Sequence, residues 1–175
     1  MMKPEYILMI VVFVALFIGV SISDAIKKKK GKTGEDQKKI MEVAQKALPD
    51  CSSYTVAYAK YFTSKSVGNH TTSYYYNYVV AFRPGEMIVI PFKFAGKEIV
   101  AQEHFLLNHE NVGNIKTKKD WTTFFDKNGG EICTFGVSGS NTADGKYFPL
   151  NIQQSDEAEK FKNFLETFTA GQPVK

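Results

Sequence analysis

The side chains in this sequence most able to do chemistry are two histidines beside carboxylates. Glu103 precedes His104, and His109 is followed by Glu110. A metal site needs such ligands to converge on one point at about 2.0–2.2 Å. On a continuous strand, the odd spacing of the two histidines places them on opposite faces, and only a bend near Asn108 would bring them together. We therefore expect exposed polar positions here, with no metal site and no bound cofactor.

Nucleophilic catalysis is not indicated either. Residues 135–140 place glycines around Ser138, but the Gly-x-Ser-x-Gly order is absent and no strand-turn-helix pattern follows. A phosphate-binding loop would need a lysine and a following helix, which this stretch lacks. We therefore expect no catalytic residue and a chain that is not an enzyme.

The two cysteines, Cys51 and Cys133, are too few for a disulfide framework and lack the paired spacing of a zinc site. Cysteines in such positions are usually buried and behave as small apolar residues. We expect both thiols to be buried and reduced. A bridge between them becomes possible only if the domain is exported.

Charge is distributed unevenly along the chain. The whole net charge of +4 lies in residues 1–34, which hold six lysines against Glu5 and Asp24. Residues 35–175 hold 16 basic and 16 acidic side chains, so their net charge is zero. A nucleic-acid-binding domain needs basic residues on its own surface to replace phosphate counterions. This distribution argues against a nucleic acid as partner.

Residues 6–22 form an uncharged apolar run. As a helix, these 17 residues would span about 26 Å, close to the hydrocarbon thickness of a bilayer. The lysines follow the run instead of preceding it, which is the reverse of a cleaved signal peptide. We predict a transmembrane anchor in residues 1–26. By the positive-inside rule, the protein would be a single-pass cell-membrane protein whose C-terminal domain is cytoplasmic.

A lysine-rich juxtamembrane linker is predicted in residues 27–34. Lysines near a bilayer are attracted to anionic headgroups, so membrane lipids are expected partners through the anchor and this cluster. Alternatively, the lysines serve only as a stop-transfer and topology signal. The predicted membrane-surface residues are Lys27, Lys28, Lys29, Lys30 and Lys32.

The rest of the chain, residues 35–175, is predicted to form one domain that begins with a helix over residues 35–48. Alternating apolar residues then predict about seven strands, one of them over residues 98–107. Hairpin turns are predicted at residues 95–97 and 126–130, and polar loops at residues 66–72 and 138–146. Hairpin-linked strands form antiparallel sheets, because parallel pairing needs long crossovers.

The last predicted element is an amphipathic helix with Ser155 as its N-cap. Its apolar face carries Phe161, Phe164, Leu165 and Phe168 at helical spacing, which is typical of contact with a core. The predicted fold class is therefore α+β: an N-terminal transmembrane helix, then a helix, a mainly antiparallel sheet or partly open barrel, and a C-terminal capping helix.

Tyrosines cluster in one predicted strand. In the run Tyr74-Tyr75-Tyr76, strand alternation places Tyr75 on the face opposite its two neighbours. Tyrosines that remain exposed on a sheet would be able to meet a partner or a bilayer interface. Trp121, with Phe124 and Phe125, could add an aromatic face.

The order of elements from residue 54 to residue 169 resembles the pleckstrin-homology-like (PH-like) domains of small bacterial membrane-associated proteins. The resemblance is carried by residues 86–92, by the tryptophan-bearing hairpin at Trp121, and by residues 155–161 at the start of the last helix. It implies a binding or scaffolding module and transfers no site residues. Lipid-binding members hold phosphates on a basic cluster between the first strands, where this chain has only Lys65.

Two functional hypotheses follow from these patterns. The first is a non-enzymatic, membrane-anchored PH-like module that faces the cytoplasm and binds or scaffolds an unidentified protein. The alternative is an exported, membrane-anchored α+β domain that binds a ligand at the cell envelope. A bridge between Cys51 and Cys133 would favour the alternative, and free thiols would favour the first hypothesis.

Overall fold

The computed structural model describes residues 34–96, 98–144 and 147–170, apart from the side chains of residues 169 and 170. These residues form ten strands, which pair only in antiparallel fashion, and two α-helices. The elements are α1 (residues 34–47), β1 (Thr55–Val67), β2 (His70–Arg83), β3 (Glu86–Ala95), β4 (Glu98–Ala101), β5 (Phe105–Asn108), β6 (Val112–Lys118), β7 (Trp121–Asp126), β8 (Glu131–Phe135), β9 (Ser140–Asn141), β10 (Ile152–Gln153) and α2 (Ser155–Ala170).

The predicted fold class is wrong in its membrane-spanning part. Among the described residues, neither helix is long and apolar enough to cross a membrane. The predicted anchor, residues 1–26, and the lysine cluster lie outside the described residues. The corrected fold class is mainly antiparallel β-structure with two helices. The predicted single-pass cell-membrane location with a cytoplasmic domain is corrected with it, because no helix in the described part of the chain supports it.

The longest hairpin joins β1 and β2. Their register is unbroken from Thr55 opposite Phe82 to Val67 opposite His70. Gly68 closes the turn with a φ of +59°, a left-handed conformation that glycine adopts at little cost. The loop predicted at residues 66–72 is therefore the tip of a hairpin, because a two-residue turn lets the strands continue to its edge.

A bulge divides the strand that the sequence predicts over residues 98–107. β3 pairs with both β4 and β5, and two β3 residues lie opposite the three residues 102–104. Pro91, one of those two, accepts a hydrogen bond from the Gln102 N–H at 2.7 Å. Proline has no N–H, so Pro91 cannot donate a hydrogen bond back to residues 102–104. The missing donor explains why the extra residue and the break in pairing occur here.

The second sheet has the order β6-β7-β8 and contains the second predicted hairpin. Its turn, residues 127–130, has Gly129 at a φ of +85°, and the Asp126 carboxylate accepts hydrogen bonds from two turn amides. Main-chain hydrogen bonds join this sheet to the five-stranded sheet, which contains β1 to β5, at one pair of described residues. Lys60 and Gly136 exchange hydrogen bonds of 3.1 and 2.9 Å between their main chains, which joins β1 to the end of β8.

The five-stranded sheet has a hydrophobic core on each face. One core contains Tyr78, Phe135 and the phenylalanines of α2, and the other contains α1, Leu150 and Ile152. Cys133 belongs to the first core and Cys51 to the second, and both are buried and free. The prediction of buried, unbridged thiols is confirmed, and the sheet lies between them.

Helix α2 covers the first core. Its buried side chains Phe161, Phe164 and Phe168 confirm the predicted apolar face. The helix begins one residue earlier than a Ser155 N-cap would require, because the Ala158 N–H donates to the Gln154 carbonyl. The Ser155 hydroxyl points instead to the Gly139 carbonyl, at 3.5 Å.

Helix α1 is attached to the C-terminal segment by a buried carboxylate. Asp36 is 3% exposed and accepts a hydrogen bond of 2.9 Å from the Asn151 N–H. Its other oxygen pairs with the Lys39 ammonium group at 3.0 Å. A charged side chain is buried at low cost only when it is paired in this way. The contact positions α1 over the second core.

Candidate functional site

The histidines do not form a common site. His104 lies in the exposed bulge, His70 is exposed at the hairpin tip, and His109 lies in the turn after β5. The His109 ring stacks on Phe168 of α2, 4.5 Å between centroids, and its Nδ1 atom is buried without a hydrogen-bond partner. Among the described residues, no group of three or more His, Cys, Asp or Glu could hold a metal ion.

The loop after Ser138 is more structured than its sequence suggests. It contains β9, whose Asn141 is 4% exposed and donates to the Leu150 carbonyl at 2.6 Å. The Asn141 side-chain oxygen accepts a hydrogen bond from the Lys60 ammonium group at 2.5 Å. Ser138 itself is exposed, and its carbonyl accepts a hydrogen bond from Gln154. These residues hold the middle of β1 in place through Lys60.

A cavity of about 580 Å³ opens beside the junction of the two sheets. Beyond the Lys60–Gly136 pair, β1 and β8 have no further paired residues, so the space between them widens. Ligand-binding cavities in proteins typically measure about 300–1,000 Å³. Residues of β1, β2, β3, β5 and β8 and of the bulge line this one, among them Tyr61, Tyr76, Tyr78, Phe105, Glu131 and Cys133.

A row of tyrosines forms the floor of the cavity. Tyr61 stacks with Tyr76 at 6.0 Å, and Tyr76 stacks with Tyr78 at 6.5 Å. The Trp121 ring contacts Tyr61 edge-on at 5.4 Å. The row is graded in burial, since Tyr78 is 8% exposed and Tyr76 is 42% exposed. It therefore joins the core to a solvent-facing aromatic surface.

The other face of the same hairpin carries a second aromatic group. Tyr75 stacks on Tyr147 at 4.0 Å and contacts Phe62 at 5.0 Å. The prediction that Tyr75 lies opposite Tyr74 and Tyr76 is confirmed by these contacts. Both faces of the β1–β2 hairpin therefore carry aromatic side chains at these positions.

Burial raises the pKa of two groups that line the cavity, Cys133 and Tyr78. Desolvation is the main cause that raises the pKa of the Cys133 thiol to about 12, with the Glu131 charge as a second cause. Desolvation also raises the pKa of Tyr78 above its ordinary value, and nearby groups, including Glu131, raise it further. The thiolate is the nucleophilic form of cysteine, so Cys133 is unreactive near pH 7. The lining is therefore neutral and amphipathic, apart from Glu131 and Lys93.

The free edge of β1 is covered near the junction by a side-chain amide. Gln154 accepts a hydrogen bond from the Tyr58 N–H and donates to the Tyr58 carbonyl, both at 2.8 Å. It also donates to the Ser138 carbonyl at 2.9 Å. Gln154 is 3% exposed, and its amide takes the place of a neighbouring strand. Nothing in the sequence around Gln154 indicates this role.

Replacing Gln154 with alanine is expected to lower the free energy of unfolding by about 2 kcal/mol, because buried main-chain groups of Tyr58 would lose their partners. Urea unfolding followed by circular dichroism measures this change. The matched control is Gln153→Ala, which removes the exposed glutamine that directly precedes Gln154. Equal stability of the two variants would contradict the strand-mimicking role of Gln154.

No family model, curated protein or solved structure matches this chain.

Proposed function

We propose that this domain is a non-enzymatic binding module and that it holds a segment of a partner protein in the tyrosine-lined cavity. The observation that carries the proposal is the cavity itself, which opens where β1 and β8 diverge and has exposed aromatic side chains on its floor. Its volume is within the range of ligand sites.

The chemistry of the lining favours a protein segment over an ionic ligand. Tyrosine offers a large apolar ring with a polar end and is enriched in protein interfaces. The charged lining residues, Glu131 and Lys93, are of opposite sign, so they do not select a strongly charged partner. A segment with alternating apolar and polar side chains would complement this surface.

The PH-like fold is part of this proposal, and it implies the same function, a binding or scaffolding module. Antiparallel sheets and a C-terminal helix whose phenylalanines cover one core support it. PH-like domains are commonly binding modules, which agrees with a role in holding a partner. The proposed partner is a protein, and no nucleic acid is expected.

Selection of random peptides on the full-length chain tests this function. We expect the selected peptides, made synthetically and labelled with a fluorophore, to bind with Kd values that anisotropy titration measures. Tyr76→Ser is expected to weaken binding at least tenfold, which is about 1.4 kcal/mol. Tyr76 contributes exposed ring surface to the cavity, so the variant should remain folded.

The matched control is Tyr147→Ser, which removes an equally exposed tyrosine, 45% against 42%, from the opposite face of the hairpin. Peptides should bind this variant as they bind the unmodified protein. The proposal fails if no selected peptide binds with a Kd below about 1 mM. It also fails if Tyr76→Ser and Tyr147→Ser weaken binding equally.

A further inference from the structure

The main-chain groups of β1 alternate between its two edges. In an antiparallel pair, each residue directs both its N–H and its carbonyl either towards the partner strand or away from it. Tyr58 bonds to Gln154, and Lys60 bonds to Gly136. The main-chain N–H and carbonyl groups of Tyr58 and Lys60 therefore point away from β2. The β1–β2 register continues without a bulge to Val67, so Phe62, Ser64 and Ser66 also point away from β2.

The outer edge of β1 is paired over its first part only. Gln154 pairs with Tyr58, and Gly136 pairs with Lys60. Within the described part of the chain, no hydrogen bond reaches the outward main-chain groups of Phe62, Ser64 or Ser66. An exposed row of unpaired N–H and carbonyl groups is a template for another strand.

We propose that the partner segment binds as an added β-strand along residues 62–66 of β1. This inference rests on the proposed function and assigns the binding mode of the same site. The added strand continues the pairing that Gln154 and Gly136 begin. Its main chain bonds to the open edge, and its side chains point alternately to the cavity side and to the Phe62 side of β1.

The two faces offer different surroundings to these side chains. On the cavity side, Tyr61 and Tyr76 stack at 6.0 Å and leave apolar ring surface exposed. On the other side, Phe62 is 41% exposed and contacts Tyr75. The partner segment is therefore an extended peptide with an aromatic or aliphatic side chain at every second position, directed into the cavity.

The occupant is a single extended segment and not a second copy of this chain. The Lys60–Gly136 pair holds β8 beside β1 at one end of the open edge, so β8 forms a wall of the groove. A second folded copy would bring its own β8 against the same edge. A single strand of about five residues matches the length of the open stretch. It carries no neighbouring strand that would collide with β8.

The test is Ser64→Pro, measured with the selected peptides on the full-length chain. Proline removes the outward N–H of Ser64, and no ladder bond to β2 depends on that group. We expect binding to weaken at least tenfold, with an unchanged midpoint of urea unfolding. The matched control Ser64→Ala keeps the N–H and should bind as the unmodified protein does.

A second measurement does not depend on the folding of a variant. Peptides N-methylated at alternate positions, titrated into the unmodified protein, should lose binding at least tenfold for one set of positions and keep it for the other. This periodicity of two is expected only for a paired strand. Equal effects at all positions would overturn the added-strand mode.

The outcomes separate the two proposals. If Tyr76→Ser weakens binding and Ser64→Pro does not, the cavity remains the site and the added strand is overturned. If neither variant changes binding, both proposals fail. A dimer in analytical ultracentrifugation that Ser64→Pro dissociates would also overturn this inference, because the edge would then hold a second copy.

Discussion

Replacing Phe135 with alanine is expected to lower the free energy of unfolding by about 4 kcal/mol. Phe135 is 0% exposed, and its ring contacts Phe124 at 5.4 Å, Tyr78 at 5.5 Å and Phe161 at 6.0 Å. These neighbours belong to both sheets and to α2. The deletion removes aromatic contacts and leaves a cavity that three separate elements would have to close together.

Urea unfolding measures the loss, with Phe62→Ala as the matched control. Phe62 is 41% exposed, so its truncation removes less buried surface than that of Phe135 and leaves no enclosed cavity, and it should therefore cost less. A loss below about 2 kcal/mol for Phe135→Ala would mean that the surrounding elements close the cavity easily. The central position of Phe135 between the two sheets and α2 would then be contradicted.

Replacing Gly136 with alanine is expected to destabilise the protein by about 3 kcal/mol and to open the junction of the two sheets. A Cβ atom at this position would lie 2.0 Å from the Asp120 carbonyl oxygen and 3.1 Å from the Trp121 ring. The nearest obstacle is main chain, which cannot turn aside as a side chain can. Relief of the clash requires β8 to move, and this would stretch the Lys60–Gly136 hydrogen bonds.

Amide hydrogen exchange distinguishes this local effect from a general loss of stability. The Lys60 N–H should exchange faster in Gly136→Ala beyond what the lower global stability explains. The matched control is Gly34→Ala, where a Cβ atom meets nothing within 4 Å. Unchanged exchange at Lys60, with unfolding like that of the control, would show that the junction tolerates a side chain.

The sequence alone determined most of the local structure. The antiparallel hairpins follow from alternating apolar residues and from glycines at the turns, such as Gly96 and Gly129, which have positive φ angles. The apolar stripe of Phe161, Phe164 and Phe168 follows from helical periodicity. These features were predictable because each depends on residues only a few positions apart.

The sequence also contained an indication of the bulge that the prediction of strands from alternating residues did not take into account. Pro91 lies in an otherwise apolar strand, where a missing N–H interrupts a ladder. It indicates the bulge at residues 102–104, which divides one predicted strand into β4 and β5. Conversely, the apolar run at residues 6–22 predicted a membrane helix, and no helix in the described part of the chain has that character.

Only the tertiary structure decided the candidate site. The cavity exists because Lys60 pairs with Gly136 and the two strands then diverge. The covered part of the β1 edge depends on Gln154, which lies 96 positions from Tyr58. The stacking of His109 on Phe168 likewise joins two distant elements. Local propensity cannot specify such contacts, because they depend on how the sheets and helices pack together once each has formed.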